Sequence, residues 1–327
     1  MTITNNTGIS LAMAVWLAHD EYSSGAEKHS GKDVISVTSL MKSPRQIILT
    51  RRIPTSDKEA ELDVTDLIAS RFGTAMHDSI ENAWTGGYVK AMRRLGYPEK
   101  VINSIKINPE SVEEGDIPIY LEQRSFKEID GVTISGKYDQ IVHGQLNDTK
   151  TMSVWGYING TKDEDFKIQG SIYRWLNQDK VTSDTLMIQM IFTDWSKADS
   201  KQNPKYPSER IVEYPIQLMS IQETETWMRT RIRTIRANAK LDEPDILYCT
   251  DKELWRSDPK YKYFSDAAKA KVLGARSSKN FDNLADANAW SATKGKGVVV
   301  TFPGVVRACA YCGAYEICSQ KDDLNHA

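Results

Sequence analysis

Gly136-Lys-Tyr-Asp139, followed by Asp148-Thr-Lys150-Thr151, is the stretch on which the reading of this chain turns. It lies in a region, Ile117 to Thr151, rich in β-branched and aromatic residues and interrupted at Asp130-Gly131 and at His143-Gly-Gln-Leu-Asn147. An Asp-Gly between two such runs signals a tight hairpin, and the second break predicts another. Asp139 is expected to end one strand and Asp148 to open the next, so that the two carboxylates converge at one end of a sheet. Residues two apart on a strand share a side, which puts Lys150 beside Asp148. Two carboxylates offer oxygen ligands to a hard cation such as Mg²⁺, and an adjacent lysine can position water or offset developing negative charge.

Helical patterns flank this strand region. Val64 to Trp84 carries apolar residues at Leu67, Ile68, Phe72, Met76, Ile80 and Trp84, which is helical spacing, with His77 and Glu81 one turn apart on a common face. Residues 165–178 read as a second helix bearing Gln169 and Tyr173, again one turn apart. Leu186–Phe192 reads as a buried strand, Ile211–Leu218 as another, and residues 220–240 as a long helix. Upstream, Ile9–Ala18 reads as a buried apolar helix, Ser23-Ser24-Gly25 as a polar break, and Val37–Thr50 as a further helix. The order helix, three strands, helix, strand argues an α/β fold with a mixed central sheet flanked by helices. The expected organisation is a helical lead-in over 1–60, a core over 61–243, and a tail over 244–327 that holds the cysteines and a helix around Leu284 to Trp290.

The 327 residues allow a substantial core, and 40% hydrophobic with 26% charged residues describe an ordinary globular protein. A net charge of −2 creates no global field for nucleic acid, so any such contact must come from a local basic patch. The apolar run at Ile9–Ala18 is too short to span a bilayer and has no basic region before it, which predicts a cytoplasmic protein without membrane contact.

Gly73-Thr-Ala-Met-His77, Gly136-Lys-Tyr-Asp139, Asp148-Thr-Lys150-Thr151 and Gln169-Gly-Ser-Ile-Tyr173 together resemble the successive motifs of RecB-like nucleases in the PD-(D/E)XK superfamily. Taken alone, each of these residues has an ordinary structural reading; the ordered set over roughly residues 70–195 carries the resemblance. The resemblance implies a PD-(D/E)XK core. It also implies that His77, Asp139, Asp148 and the Thr149 carbonyl ligate Mg²⁺ or Mn²⁺, with Glu81 a further ligand for a second metal or its water. Lys150 becomes the catalytic lysine, and Gln169 and Tyr173 position the DNA strand. Phosphodiester hydrolysis needs an oxygen nucleophile near neutral pH and charge relief on phosphoryl oxygens, and a divalent cation supplies both.

The four cysteines, Cys249, Cys309, Cys312 and Cys318, all fall in the last quarter of the chain, a clustering that favours metal ligation in a reducing compartment. Four thiolates suit tetrahedral Zn²⁺ or a [4Fe–4S] cluster equally by count. The pattern C-x2-C-x5-C with one remote cysteine is similar to the iron–sulfur staple of AddB-type and other RecB-like nucleases, which implies [4Fe–4S], with Zn²⁺ the alternative. In that group the remote cysteine precedes the His motif; here it follows the Gln169 helix. The cluster is therefore expected to close residues 249–318 onto themselves as a separate subdomain.

Met228, Ile232, Ile235 and Ala239 line up on one stripe of the 220–240 helix, and Arg229, Arg233, Arg236 and Lys240 on another at matching spacing. Such a row suits a phosphate backbone or a solvated face. Tyr206, Tyr261, Tyr263 and Phe264 sit among lysines and suit base stacking or core packing. The family resemblance implies a DNA exonuclease of phage-type recombination, repair or replication, working in the host cytoplasm if phage-encoded. A helicase or a single-strand annealing or binding protein is the implied partner. A non-catalytic nucleic-acid-binding or partner-docking protein and an endonuclease are the competing readings.

Overall fold

In the computed structural model of the chain, residues 3–19, 34–54, 62–272 and 274–325 are described, and the Ser23-Ser24-Gly25 break lies outside them. The chain is mixed α/β and forms two compact units. One is Met1–Met41 with Pro54–Arg233; the other is Lys42–Ile53 with Thr234–Ala327.

In chain order the strands of the first unit are β1 (Ile3–Thr4), β2 (Val34–Ser36), β3 (Leu62–Asp63), β4 (Ile105–Ile107), β5 (Ile117–Leu121), β6 (Arg124–Ile129), β7 (Val132–Lys137), β8 (Gln140–Val142), β9 (Gln145–Met152), β10 (Thr185–Phe192) and β11 (Ile211–Gln217). Six of them form a mixed sheet in the order β11-β10-β9-β8-β5-β4, while β2-β7-β6 form a smaller sheet. β9 runs antiparallel to β8 and parallel to β10. A parallel neighbour needs a crossover, and the helix Asp163–Leu176 lies within it. Ile119, Leu121, Ile141, Leu146, Ile188 and Met190 of the sheet are buried, as are Ile172 and Trp175 of that helix.

Both expected hairpin turns are present. Asp130 and Gly131 have φ of 50° and 70°, and His143 and Gly144 have φ of 47° and 83°. Two successive positive φ values match the twist of paired strands. The second turn is shorter than the sequence suggested, because Gln145, Leu146 and Asn147 already belong to β9. Asp148 therefore sits inside β9 rather than opening it, and Asp139 lies in the step between β7 and β8. The two carboxylates still converge. Gln140 pairs with Asn147, so their outer neighbours Asp139 and Asp148 face one another at the end of that ladder.

The His77 helix spans Ile68–Gly86, after a tight 3-10 turn at Val64–Leu67 whose Asp63 cap accepts from the Thr65 backbone at 3.0 Å. The helix expected over Val37–Thr50 is two helices, Val37–Leu40 and Pro44–Arg52. Pro44 lacks an N–H and takes the first helical position, while Ser43 Oγ caps the Gln46 N–H at 3.0 Å. The helix at Leu11–Ala18 is not the buried element the sequence predicted: Ala14 and Leu17 pack on Val64, whereas Leu11, Met13, Val15 and Trp16 are exposed. It is apolar on every side, so burying one face leaves another in the open.

The second unit contains the helix Pro44–Arg52, strands β12 (Lys260–Phe264), β13 (Lys279–Phe281) and β14 (Val298–Phe302) in the order β13-β12-β14, and a helix at Leu284–Lys294 that Gly295 ends at φ 62°. The compact units thus differ from the contiguous division 1–60, 61–243 and 244–327. A buried guanidinium is among the links that join the two segments of the second unit. Arg45, 1% exposed, donates to the Ile246 carbonyl at 2.7 Å, to Ser319 Oγ at 3.3 Å and to the Glu243 carboxylate. A segment preceding the His77 helix is thereby tied to the C-terminal residues, and no run of local composition reveals a discontinuous unit. Among the described residues, no helix is long and apolar enough to cross a membrane.

Candidate functional site

The step between β7 and β8 brings Asp139 to the sheet end where β5 stops at Leu121. Glu122 follows at φ 51°, an uncommon conformation for a residue with a Cβ, and its N–H bonds the Asp139 carbonyl at 2.8 Å. His77 comes from its helix to the same place. His77 Nδ1 lies 3.2 Å from Glu122 Oε1 and 3.5 Å from Asp139 Oδ2. One ligand atom from each of His77, Glu122 and Asp139 lies within 4.8 Å of the others, a spacing that suits a cation. Glu81 lines the same cleft but stands outside this close set.

Lysines bracket the carboxylates. Lys137 Nζ is 2.6 Å from Glu122 Oε2, and Lys150 Nζ is 2.7 Å from Asp148 Oδ2. Asp148 is 4% exposed, and its Oδ2 is held by the Lys150 ammonium. The Thr149 N–H donates to Asp139 Oδ2 at 2.9 Å, aiming the Asp139 carboxylate.

Charge burial sets the protonation states. Burial, and then the adjacent Asp148, push the Asp139 carboxyl up to about 7. Burial also acts to raise Glu122, but hydrogen bonds from His77 and Lys137 outweigh it and hold the carboxyl below its ordinary value. The bond to Glu122 raises His77. Burial opposes charge on Lys150, yet Asp148 and Asp139 outweigh it and hold the ammonium above its ordinary value. Lys150 is therefore a cation here and not a base.

Gln169 and Tyr173 are linked, Gln169 Nε2 donating to Tyr173 Oη at 3.2 Å. Tyr173 is 6% exposed and its helix presses on β7. A Cβ at Gly136 would lie 2.8 Å from Tyr173 Cε1 and 2.7 Å from Leu176 Cδ1, so the first residue of the Gly136–Asp139 stretch is the gap into which the tyrosine fits.

In the second unit, Cys249, Cys309, Cys312 and Cys318 all line one small cavity together with Arg45, Leu49 and Leu254. Ser43 Oγ lies 3.1 Å from Cys249 Sγ, and Arg45 Nε donates to Cys318 Sγ at 3.2 Å. Burial pushes the Cys249 thiol up to about 11, a state in which it needs a cation to ionise. The expectation that the cysteines close only residues 249–318 onto themselves is corrected. Arg45, Gln46 and Leu49 lie ahead of the His77 helix and form part of the cavity wall.

The cationic row is smaller than expected. Arg229 pairs with Asp130 and with Glu225 at 3.6 Å, and Lys240 lies beyond the helix, which spans Ile221–Asn238. Arg233 and Arg236 are exposed. Tyr206, Tyr263 and Phe264 are buried and Tyr263 Oη donates to the Lys296 carbonyl at 2.8 Å, so these rings serve packing; Tyr261 is half-buried.

No family model matches the chain, and neither does any curated protein. Among solved structures it is similar to SSO0001, at 16% identity and a TM-score of 0.42 over 69% of this chain and 87% of that one. It is also similar to a Eubacterium rectale protein whose exonuclease name is provisional, at 12% identity and a TM-score of 0.29 over the same shares. Likenesses this loose assign neither fold family nor activity, and the functional reading rests on the site.

Proposed function

We propose that this chain is a divalent-metal-dependent nuclease that hydrolyses DNA from its ends, with the RecB-like PD-(D/E)XK arrangement of residues. The observation that carries the reading is the convergence of His77, Glu122 and Asp139 ligand atoms within 4.8 Å, beside the buried Asp148 carboxylate that is paired with Lys150. His77, Glu122, Asp139 and Asp148 would hold Mg²⁺ or Mn²⁺. The bound ion would supply charge relief on the phosphoryl oxygens and acidify a water.

The protein's own groups divide the remaining work. Lys150, held as an ammonium, offsets charge developing on the phosphate and orients the attacking water. Lys137 occupies one oxygen of Glu122 and leaves the other toward His77. The Thr149 N–H fixes the Asp139 carboxylate, and Gln169, bonded to a packed Tyr173, contacts the strand.

The four-cysteine cavity is proposed to hold a [4Fe–4S] cluster, with Zn²⁺ the alternative. All four cysteines line one small cavity, and Arg45 supplies both an N–H to sulfur and a positive charge against the thiolates. Anaerobic protein should be brown; a colourless preparation with stoichiometric zinc would select the alternative.

The nuclease test is Mg²⁺- or Mn²⁺-dependent degradation of end-labelled linear DNA by the wild type, Asp148→Ala and Lys150→Ala. Activity in the wild type alone is expected, with covalently closed circles left intact. Cleavage of the circles would make the enzyme an endonuclease, and full activity in both variants would move the chemistry elsewhere. An inert wild type that still binds DNA would favour the non-catalytic reading.

A further inference from the structure

The second unit has a basic edge that the cysteine cavity does not use. Residues 260–302, which hold β12, β13, β14 and the helix Leu284–Lys294, contain eight Lys or Arg and three Asp or Glu, a local charge of +5 in a chain of net charge −2. Strand register sorts these residues onto faces. Tyr261 pairs with Phe281 and Tyr263 with Lys279, so all four point to one side of the sheet. Trp290 of the helix lies on that side, its ring centroid 6.2 Å from that of Phe281.

Burial separates the aromatic rings by role. Tyr263 and Phe264, 3% and 2% exposed, and Ala287 supply the packed interior. Phe281 and Trp290 stay half-buried at the rim, next to two exposed lysines. Lys279 Nζ stands 3.6 Å from the Trp290 centroid and 5.0 Å from that of Phe281, and Lys294 Nζ stands 4.5 Å from Trp290. The ammonium groups thus rest on ring faces and not on carboxylates, a weak cation–π attachment that a phosphate oxygen outcompetes. Once the lysines swing to phosphates, the indole face is open to a base.

We propose that the edge formed by Lys279, Phe281, Trp290 and Lys294 is a docking surface for a single DNA strand, with lysines on its phosphates and a base on Trp290. The choice of DNA as the polymer rests on the nuclease reading. The preference for one strand follows from the rings. An acidic peptide satisfies the lysines but has no flat group for the indole, and a duplex keeps its base faces stacked inside.

The test uses the full chain carrying Asp148→Ala, without divalent metal, and follows anisotropy of a labelled oligothymidylate. Trp290→Ala should weaken binding about 10-fold, while Trp290→Phe keeps the ring and most of the affinity. Lys279→Ala with Lys294→Ala should flatten the log–log salt slope by about 1.4, two phosphates at about 0.7 each. An unchanged melting temperature in each variant separates lost contact from lost fold. Unaltered affinity and slope in both the Trp290→Ala and the double-lysine proteins would overturn the proposal. So would competition by poly-glutamate as strong as by unlabelled oligothymidylate, which would make the edge an acidic-protein surface. The two readings fail separately. Without the nuclease activity, the metal-supplied wild type leaves DNA uncut while the Trp290 effect on binding remains. Without the docking edge, Trp290→Ala cuts DNA with the wild-type KM.

Discussion

Replacing Glu122 by Gln removes one negative charge from the site with almost no change of shape, which makes it the sharpest probe of the proposed ion. At a separation of about 4 Å and an effective dielectric of about 20, one carboxylate against a dication amounts to about 8 kcal/mol. That figure is a ceiling. Glu122 is already engaged by Lys137 at 2.6 Å and His77 at 3.2 Å, so the ion gains only the difference between its own attraction and theirs. The amide oxygen of Gln also remains a ligand, and Lys137, no longer neutralised, repels the cation. A net loss of about 1.4–2.8 kcal/mol results, or about 10- to 100-fold in Mn²⁺ affinity. Calorimetric titration of Mn²⁺ into wild type and Glu122→Gln above pH 7 reads it directly. The unfolding free energy from urea titration should change by less than about 1 kcal/mol, because Gln preserves an acceptor for His77. Equal Mn²⁺ affinity in Glu122→Gln, with affinity lost in Asp148→Asn, would refute the assignment of Glu122.

Asp139 is pushed up to about 7 by burial and by Asp148, so Mn²⁺ affinity should climb as pH rises through 7 and level off above it. The metal-free protein behaves oppositely: a folded pKa above the unfolded value of about 4 contributes stability below pH 4 that is lost by about pH 7, and melting curves of wild type and Asp139→Asn should diverge over that window. Gly136→Ala places a Cβ within 2.7 Å of Leu176, 2.8 Å of Tyr173 and 2.9 Å of Val37, and should cost about 1–3 kcal/mol in urea unfolding; an unchanged midpoint would mean that the helix and β7 are not so tightly set. Arg45→Met strips the guanidinium from the Glu243 carboxylate, which is 24% exposed, and should destabilise the protein by about 3–5 kcal/mol; a wild-type unfolding curve would contradict the buried pairing.

What local chemistry dictates was legible in the chain. Asp130-Gly131 and His143-Gly144 announce hairpins because few residue pairs tolerate two positive φ values, and the second of these aligns Asp139 with Asp148. His77 was placed by helical period. Glu122 escaped because its partner His77 is 45 residues away and no period links a strand end to a helix face. A signal was there: the apolar run Ile117–Leu121 stops abruptly at Glu122-Gln123, which marks a strand end at the level of Asp139. The two-segment composition of the second unit was invisible for a similar reason. Arg45 reads as a solvated helix residue until Glu243, Ile246, Cys318 and Ser319 close around it.

With His77 neutral, three carboxylates and two lysines leave the site one positive charge short, and the distribution of that shortage explains its chemistry. Lys137 is committed to Glu122 and Lys150 to Asp148, each within 2.7 Å. Asp139 is left with the Thr149 N–H and with His77 at 3.5 Å, too little to keep it ionised in a buried setting, so it takes up a proton near neutrality. A monovalent ion displacing that proton would restore neutrality and nothing more. A divalent cation exceeds it by one charge, which suits a site that must receive an anionic phosphate. The surplus also bears on Lys150. Its ammonium is held by Asp148 and Asp139, and any cation sharing those carboxylates weakens that hold. Lys150 then turns from a structural counter-ion into a donor for the phosphate. The charge deficit of the metal-free site thus couples ion binding to the readiness of the lysine, and lysine-dependent DNA affinity at the cleft should appear only when divalent metal is present.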